Sequence, residues 1–459
     1  MDRPVRLAIV GAGNRGRFTY GAWCLHRPDL AQVVAVAEPD PVRRDAMADA
    51  HGIDAARAHT DWEALLTDLD DVEGVIIATL DHDHVEPAVA LLEADADIVL
   101  EKPIAPDHGG IERVRAAAKR SLGTVTIAHV LRYTPMFGTL KRLLDEGAIG
   151  ELRGIDHAEH VGFRLFTHGY VRGNWRREDT SSPVILSKSC HDLDLIRWWA
   201  DAPWTAASSW GELTYFNQAH APEGAPTHCL HGCPIEDTCP FHAGRRYIDN
   251  TPDPEGYPTN VITSDPSTEG RLAALRDGPY GRCVFRSDND VPDHQNAMFR
   301  FASGVQATFT LTAFAAKGAR HTRLLGTQGD MTCEPLQGTI TIRRYHPAPH
   351  VERPSGAAGG PHVQGDADQA RSFVDTQIVE ARPEPGAFPG HGGGDDGLMQ
   401  AFVTRLRAHR DPDARPDRLH SALTSLDSSL ESHEMAFAAE HSRHTDRIVH
   451  PDDLPVTRS

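Results

Sequence analysis

Gly11-Ala12-Gly13-Asn14-Arg15-Gly16 follows the apolar run Val5-Arg6-Leu7-Ala8-Ile9-Val10 and leads into a segment that reads as a helix from about Arg15. In that context G-x-G-x-x-G binds a dinucleotide. The first glycine turns the chain, the second lets the backbone reach the pyrophosphate, the third permits close helix–strand contact, and the helix N-terminus receives the phosphate charge. About ninety residues later, Glu101-Lys102-Pro103 closes another apolar run, Ile98-Val99-Leu100. Ligands of open α/β sheets gather at the carboxyl ends of strands, so a charged triplet there predicts a site rather than packing. A lysine at such a strand end could hold a charge or exchange a proton at a bound ligand. Only five of the 46 Lys and Arg residues are lysines, at 102, 119, 141, 188 and 317. Arginine supplies charge almost everywhere else, so a lysine in a suspected site points to something Arg cannot do, such as losing a proton.

The acid that belongs with the glycine turn is Glu38, at the end of a second strand, Gln32 to Ala37, and 22 residues after Gly16. A carboxylate there accepts both ribose hydroxyls and repels a 2′-phosphate, which favours NAD over NADP. Arg43 and Arg44 stand close enough to soften that preference.

Positioning these groups takes a doubly wound parallel sheet. Strands at 5–10, 32–37, 73–79, 97–100 and 123–129 alternate with helices at 41–51, near 61–68, at 84–94 and at 108–120. From about residue 150 the pattern turns to longer strands, expected at 152–164, 206–216, 282–287, 295–302, 305–314, 318–327 and 338–345, with a helix at 191–200. This predicts an α+β domain on a large, mostly antiparallel, open-faced sheet. The organisation expected is a dinucleotide-binding domain over 1–125 and a substrate and oligomerisation domain over 126–395. The latter holds a Cys/His-rich insertion at 217–281, and a helical segment over 396–459 packs back on the body. Residues 346–370 read as loop.

Several stretches match one family in order: the glycine fingerprint, Glu38-Pro39-Asp40, Val75 to Thr79 followed by His84, Glu101-Lys102-Pro103, and His129 to Tyr133. Lys188-Ser189-Cys190-His191-Asp192-Leu193-Asp194 and the tail His433 to Glu440 agree as well. The chain resembles the Gfo/Idh/MocA oxidoreductases, which include glucose–fructose oxidoreductase and inositol dehydrogenases. The resemblance covers all but the insertion and the 346–390 loops. It implies a nicotinamide enzyme acting on sugars, polyols or their acids, with Lys102 contacting cofactor and substrate and sharing proton transfer with His191. The Lys102-Pro103 peptide is often cis in such enzymes. Cofactor contacts are expected from Gly11, Gly13, Asn14, Arg15, Gly16, Glu38, Arg43, Thr79, His84, Glu101 and Lys102. The resemblance further implies a homodimer or homotetramer.

One position departs from the family's pattern. Where Asp-x-Gly-x-His is usual, this chain has Ser187-Lys188-Ser189-Cys190-His191. The carboxylate that would orient the imidazole is missing. Asp194, one turn past His191, is the candidate replacement, and Lys188 could bind substrate or share the proton work. Tyr170 to Arg176 combines donors with an aromatic ring, as a sugar pocket does. Arg172, Asn174 and Trp175 are therefore substrate candidates, with Arg132, Tyr133 and His391 beside them. The segment Asp156 to His160 is polar on both faces and is not expected in a core. Asp395 reads as a helix N-cap.

His228-Cys229-Leu230-His231-Gly232-Cys233-Pro234 and Cys239-Pro240-Phe241-His242 gather thiols and imidazoles. Cys229, Cys233 and Cys239, with Cys283 folded back, could hold a structural zinc, although C-x3-C-x5-C is no standard finger. Free side chains on a surface insertion are the alternative.

A net charge of −19 argues against nucleic-acid or anionic-membrane partners, and no stretch is apolar enough to span a bilayer. A strand beginning near Val5 and seven cysteines, an odd number, predict a cytoplasmic protein without a signal peptide. Three functions fit: an NAD(H)-dependent dehydrogenase of a sugar, cyclitol or sugar acid; a glycoside hydrolase that oxidises, eliminates and re-reduces; and a non-catalytic NAD-binding regulator.

Overall fold

The computed structural model describes residues 3–251, 253–346, 373–409 and 423–454. Six strands, β1 (Val5–Val10), β2 (Ala31–Ala37), β3 (Ala58–His59), β4 (Gly74–Ile77), β5 (Ile98–Leu100) and β6 (Val125–Ile127), form one parallel sheet. Their order is β3-β2-β1-β4-β5-β6. Strand order reverses beside β1, so the glycine turn at its end opens at the topological switch point where such sheets bind nucleotides. These strands are buried on both faces, which is why they read as unbroken apolar runs. Asp40 caps the helix Pro41–His51, accepting hydrogen bonds from the amides of Val42 and Arg43.

The second sheet has eight strands: β7 (Leu152–His160), β8 (Trp204–Glu212), β9 (His294–Phe301), β10 (Gln306–Thr312), β11 (Ala319–Gly326), β12 (Gly329–Glu334), β13 (Thr339–Tyr345) and β14 (Val374–Glu380). In the order β14-β13-β12-β11-β7-β10-β9-β8, only the β7–β10 pair is parallel. One face packs into the largest core, and β9 shows the alternation: Ala297, Phe299 and Phe301 point in while Asn296, Met298 and Arg300 point out. The helices Cys190–Ala200 and Leu426–Thr445 lie against that sheet. The helix Gly394–His409 instead buries Leu398, Met399, Phe402 and Leu406 against Val5, Leu7 and Ile9 of the first sheet.

Local differences from expectation have physical causes. Residues 282–287 form a loop: Val284 and Phe285 are buried as a strand's would be, yet no ladder includes them. β7 stops at His160, and Phe163–Phe166 is helical. Strands β12 and β14 were not anticipated. The expected helix at 418–441 is observed as Leu426–Thr445, its first part lying outside the described residues, as does most of the 346–370 loop. His157 and Glu159 of β7 are buried rather than solvated, because facing charges satisfy them.

Candidate functional site

Two of the fingerprint glycines have no tolerated substitute. Gly11 has φ +93°, and a Cβ there would stand 2.7 Å from the Ala78 carbonyl oxygen; a Cβ on Gly16 would meet the Gly11 oxygen at 1.8 Å. Gly13 faces open space, leaving its backbone free for close approach by a ligand. Beside the turn, Glu38 is buried and anchored twice, by the Ala12 amide at 2.7 Å and the Asp40 amide at 3.0 Å. Arg44 turns back to the carbonyls of Glu38 and Pro39, and Arg43 lies 3.9 Å from Asp40.

The triplet at the end of β5 is clamped from several sides. Lys102-Pro103 is cis. Buried His84 donates from Nδ1 to the Pro103 carbonyl at 2.6 Å, and Thr79 donates to the Asp83 carbonyl at 3.0 Å. The Ile104 amide donates to Nε2 of His433, whose Nδ1 donates to the Ser429 carbonyl. The tail His433 to Glu440 thus braces the triplet. Glu101 turns away from the cleft into a buried cluster with Arg15 at 2.5 Å and the Tyr20 hydroxyl at 2.5 Å, and Arg15 continues to Asp395 at 2.9 Å. Burial alone would raise the Glu101 carboxyl. The Arg15 charge and the Tyr20 hydrogen bond outweigh it and hold Glu101 below the usual range.

Lys102 points the other way. Its Nζ donates to the Ser187 carbonyl at 2.8 Å, so the amine of the first sheet reaches the helix pair that presents His191. That imidazole is buried at the start of Cys190–Ala200, and its Nδ1 has no hydrogen-bond partner among the described residues. Burial, then the charge of Lys102, pushes His191 well below its ordinary value, which keeps it neutral. His129 and His391 flank it, with ring centroids 5.7 and 6.1 Å away. His391 is held at φ +42° by a 2.9 Å bond to Asp395.

Residues 5–129 match the model for the oxidoreductase family's NAD-binding Rossmann fold, and residues 141–338 match that for its C-terminal alpha/beta domain. The chain belongs to the Gfo/Idh/MocA oxidoreductases. Among relatives, an inositol 2-dehydrogenase of Streptomyces avermitilis is 31% identical over 49% of this chain and 60% of its own length. An inositol dehydrogenase homolog from Azotobacter vinelandii, complexed with NADH and myo-inositol, superposes with a TM-score of 0.61 at 14% identity, covering 98% of both chains. A levoglucosan dehydrogenase in complex with NADH and levoglucosan gives 0.65 at 16% identity, covering 97% of this chain and 99% of that one. Such low identities speak for the fold alone.

Several expected site residues of this oxidoreductase are engaged elsewhere. Asp194 does not orient His191: it forms a buried two-point ion pair with Arg132 at 2.5 and 2.7 Å, as opposite charges without solvent require. Arg132 is thereby withheld from a substrate as well, and Tyr133 shares a 3.0 Å hydrogen bond with Thr424. Lys188 pairs with Glu159 at 3.1 Å. Glu159 and Asp192 share Arg320, and Asp192 also binds His157 at 2.9 Å. Arg15 donates to Glu101, Thr19, Tyr20 and Asp395. Asp395 is a buried partner of Arg15 and His391, not a solvent-facing cap. Arg172 is wholly buried against the insertion. Asn174 is exposed, while Trp175 stacks on Tyr170 and donates to Asp81 at 3.1 Å. Ser181 also binds Asp81, so this acid after β4 joins the two parts of the molecule. Asn14 accepts from Asn260 of the insertion at 3.1 Å. Neither Asp81 nor Asn260 carried a local sequence signal; His433 did, through the tail motif.

Cys229, Cys233 and Cys239 of the insertion and Cys283 just beyond it line one cavity. No three of their sulfurs lie mutually within 4.8 Å. A single tetrahedral zinc, with Zn–S of about 2.3 Å, draws its sulfurs to about 3.8 Å, so the expected zinc geometry is not formed. Among the described residues, no helix is long and apolar enough to cross a membrane.

Proposed function

We propose that this oxidoreductase moves a hydride between NAD and a hydroxyl carbon of a sugar, cyclitol or sugar acid, with Lys102 and His191 handling the hydroxyl proton. The observation that carries the reading is the 2.8 Å hydrogen bond from the Lys102 amine, at the end of β5, to the Ser187 carbonyl, four residues before His191. The open face over Gly13 and the anchored Glu38 carboxylate fit the pyrophosphate and the adenosine ribose hydroxyls of NAD. Bound NAD would supply the hydride acceptor. The chain supplies the rest. The Ser187 carbonyl fixes the direction of the Lys102 amine, burial keeps His191 neutral, and its Nδ1 has no partner among the described residues and is open to a substrate hydroxyl. Inositol and levoglucosan in the names of relatives support a polyhydroxylated substrate.

The test mixes enzyme, NAD and a panel of aldoses, cyclitols, aldonic acids and aryl glycosides, following NADH and released aglycone together. NADH accumulation over many turnovers supports the dehydrogenase. Aglycone release without net NADH would replace it with the redox-assisted hydrolase, and NAD binding with neither product would leave a regulator.

A further inference from the structure

The proposed reaction makes no use of the insertion's cysteines, yet a buried charge reaches toward them. Arg172 is 0% exposed. Its Nε donates to the Arg282 carbonyl at 2.7 Å, and one terminal nitrogen donates to the Phe241 carbonyl at 2.7 Å and to Cys229 Sγ at 3.5 Å. The other terminal nitrogen has no partner among the described residues. Arg15, Arg132 and Arg320 are each balanced by carboxylates; Arg172 has backbone oxygens and a sulfur instead. An uncompensated buried guanidinium is costly, and its surroundings are expected to supply negative charge.

Among the described residues lining that cavity, the groups able to do so are thiols. Cys229, Cys233, Cys239 and Cys283 line the same cavity as Arg172. The chain holds them together deliberately: the Cys229 amide donates to the Gly281 carbonyl and the Cys283 amide to the Thr227 carbonyl, both at 2.8 Å, so the two ends of the insertion run side by side. A metal centre deprotonates its thiol ligands and so would set negative charge beside Arg172. The sulfurs are too dispersed for one zinc ion, whereas in an iron–sulfur cluster thiolates bind separate irons and stand farther apart.

We propose that Cys229, Cys233, Cys239 and Cys283 ligate an iron–sulfur cluster, with Arg172 donating to the Cys229 sulfur and balancing the cluster's negative charge. The cluster pins the insertion, whose Asn260 touches the glycine turn.

The full-length protein, purified without oxygen from iron-supplemented cells, is analysed for iron, acid-labile sulfide and zinc per chain, with its visible absorption before and after dithionite. The expected result is about four irons and four sulfides per chain and visible bands that bleach on reduction. Cys229→Ser, Cys233→Ser, Cys239→Ser and Cys283→Ser each lower bound iron severalfold, while Cys24→Ser and Cys333→Ser, in the sheet cores, leave it unchanged. One zinc without iron would overturn the cluster. So would metal-free protein whose four thiols react freely or form disulfides. If a cysteine variant does not fold, the wild-type metal and sulfide content decides.

Discussion

In the proposed reaction Lys102 handles the hydroxyl proton, and Arg tests that role most sharply. Lys102→Arg keeps the charge and a donor for the Ser187 carbonyl but cannot lose a proton near neutrality. Turnover is expected to fall by at least about a hundredfold with NAD affinity by calorimetry largely kept; near-normal turnover would remove Lys102 as a base. Glu38 is the proposed partner of the adenosine ribose. Because Ala12 and Asp40 hold its carboxylate in place, Glu38→Ser should shift the NAD/NADP ratio of kcat/KM toward NADP by about tenfold or more, read by steady-state kinetics with both cofactors. The motifs singled these two out, since each stands in a short local pattern, Glu101-Lys102-Pro103 and Glu38-Pro39-Asp40. Arg172 was not. Its partners, Phe241, Arg282 and Cys229, lie 57 to 110 positions away, so nothing local distinguishes it from a sugar-binding donor. The departure at Ser187 proved informative in a different way: its backbone, not its side chain, receives Lys102.

Among the elements, helix Cys190–Ala200 is tied to the loop after β6 by Asp194 and Arg132, both buried. Burial pushes the Asp194 carboxyl upward, and Arg132 opposes the shift. Removing one partner leaves the other charge buried alone. Asp194→Ala should therefore cost about 3–5 kcal/mol, measured by urea denaturation, whereas a role confined to substrate binding would leave the midpoint unchanged. Strands of the first sheet were readable because burial on both faces makes them continuous apolar runs. β14, Val-Asp-Thr-Gln-Ile-Val-Glu, is an edge strand with mostly exposed side chains and offers no such pattern. β12 carries buried Asp330 between glycine and methionine, which breaks the expected alternation.

Across the whole molecule, histidine burial makes stability depend on acidity. His168 and His433 are pushed down to about 3, in both cases chiefly by burial, from an ordinary value of 6.5. The unfolded chain binds protons at these sites between those values and the folded one does not, so stability rises with pH through that window. Below pH of about 6.5 each histidine should withdraw up to about 1.4 kcal/mol per pH unit. Urea titrations at pH 7.5 and 5.0 should give a clearly lower midpoint at pH 5.0, and equal midpoints would show that these rings titrate normally when folded.

The hydrogen bond from Asn260 to Asn14 joins a late insertion to the turn on which a nucleotide's phosphates would rest. A nucleotide bound at that turn would lie beside this clasp. Asn260→Ala should quicken NADH departure in stopped-flow fluorescence without altering which nucleotide is accepted. Where departure limits turnover, the variant would run faster than the parent. The insertion would then set the enzyme's tempo without touching its chemistry.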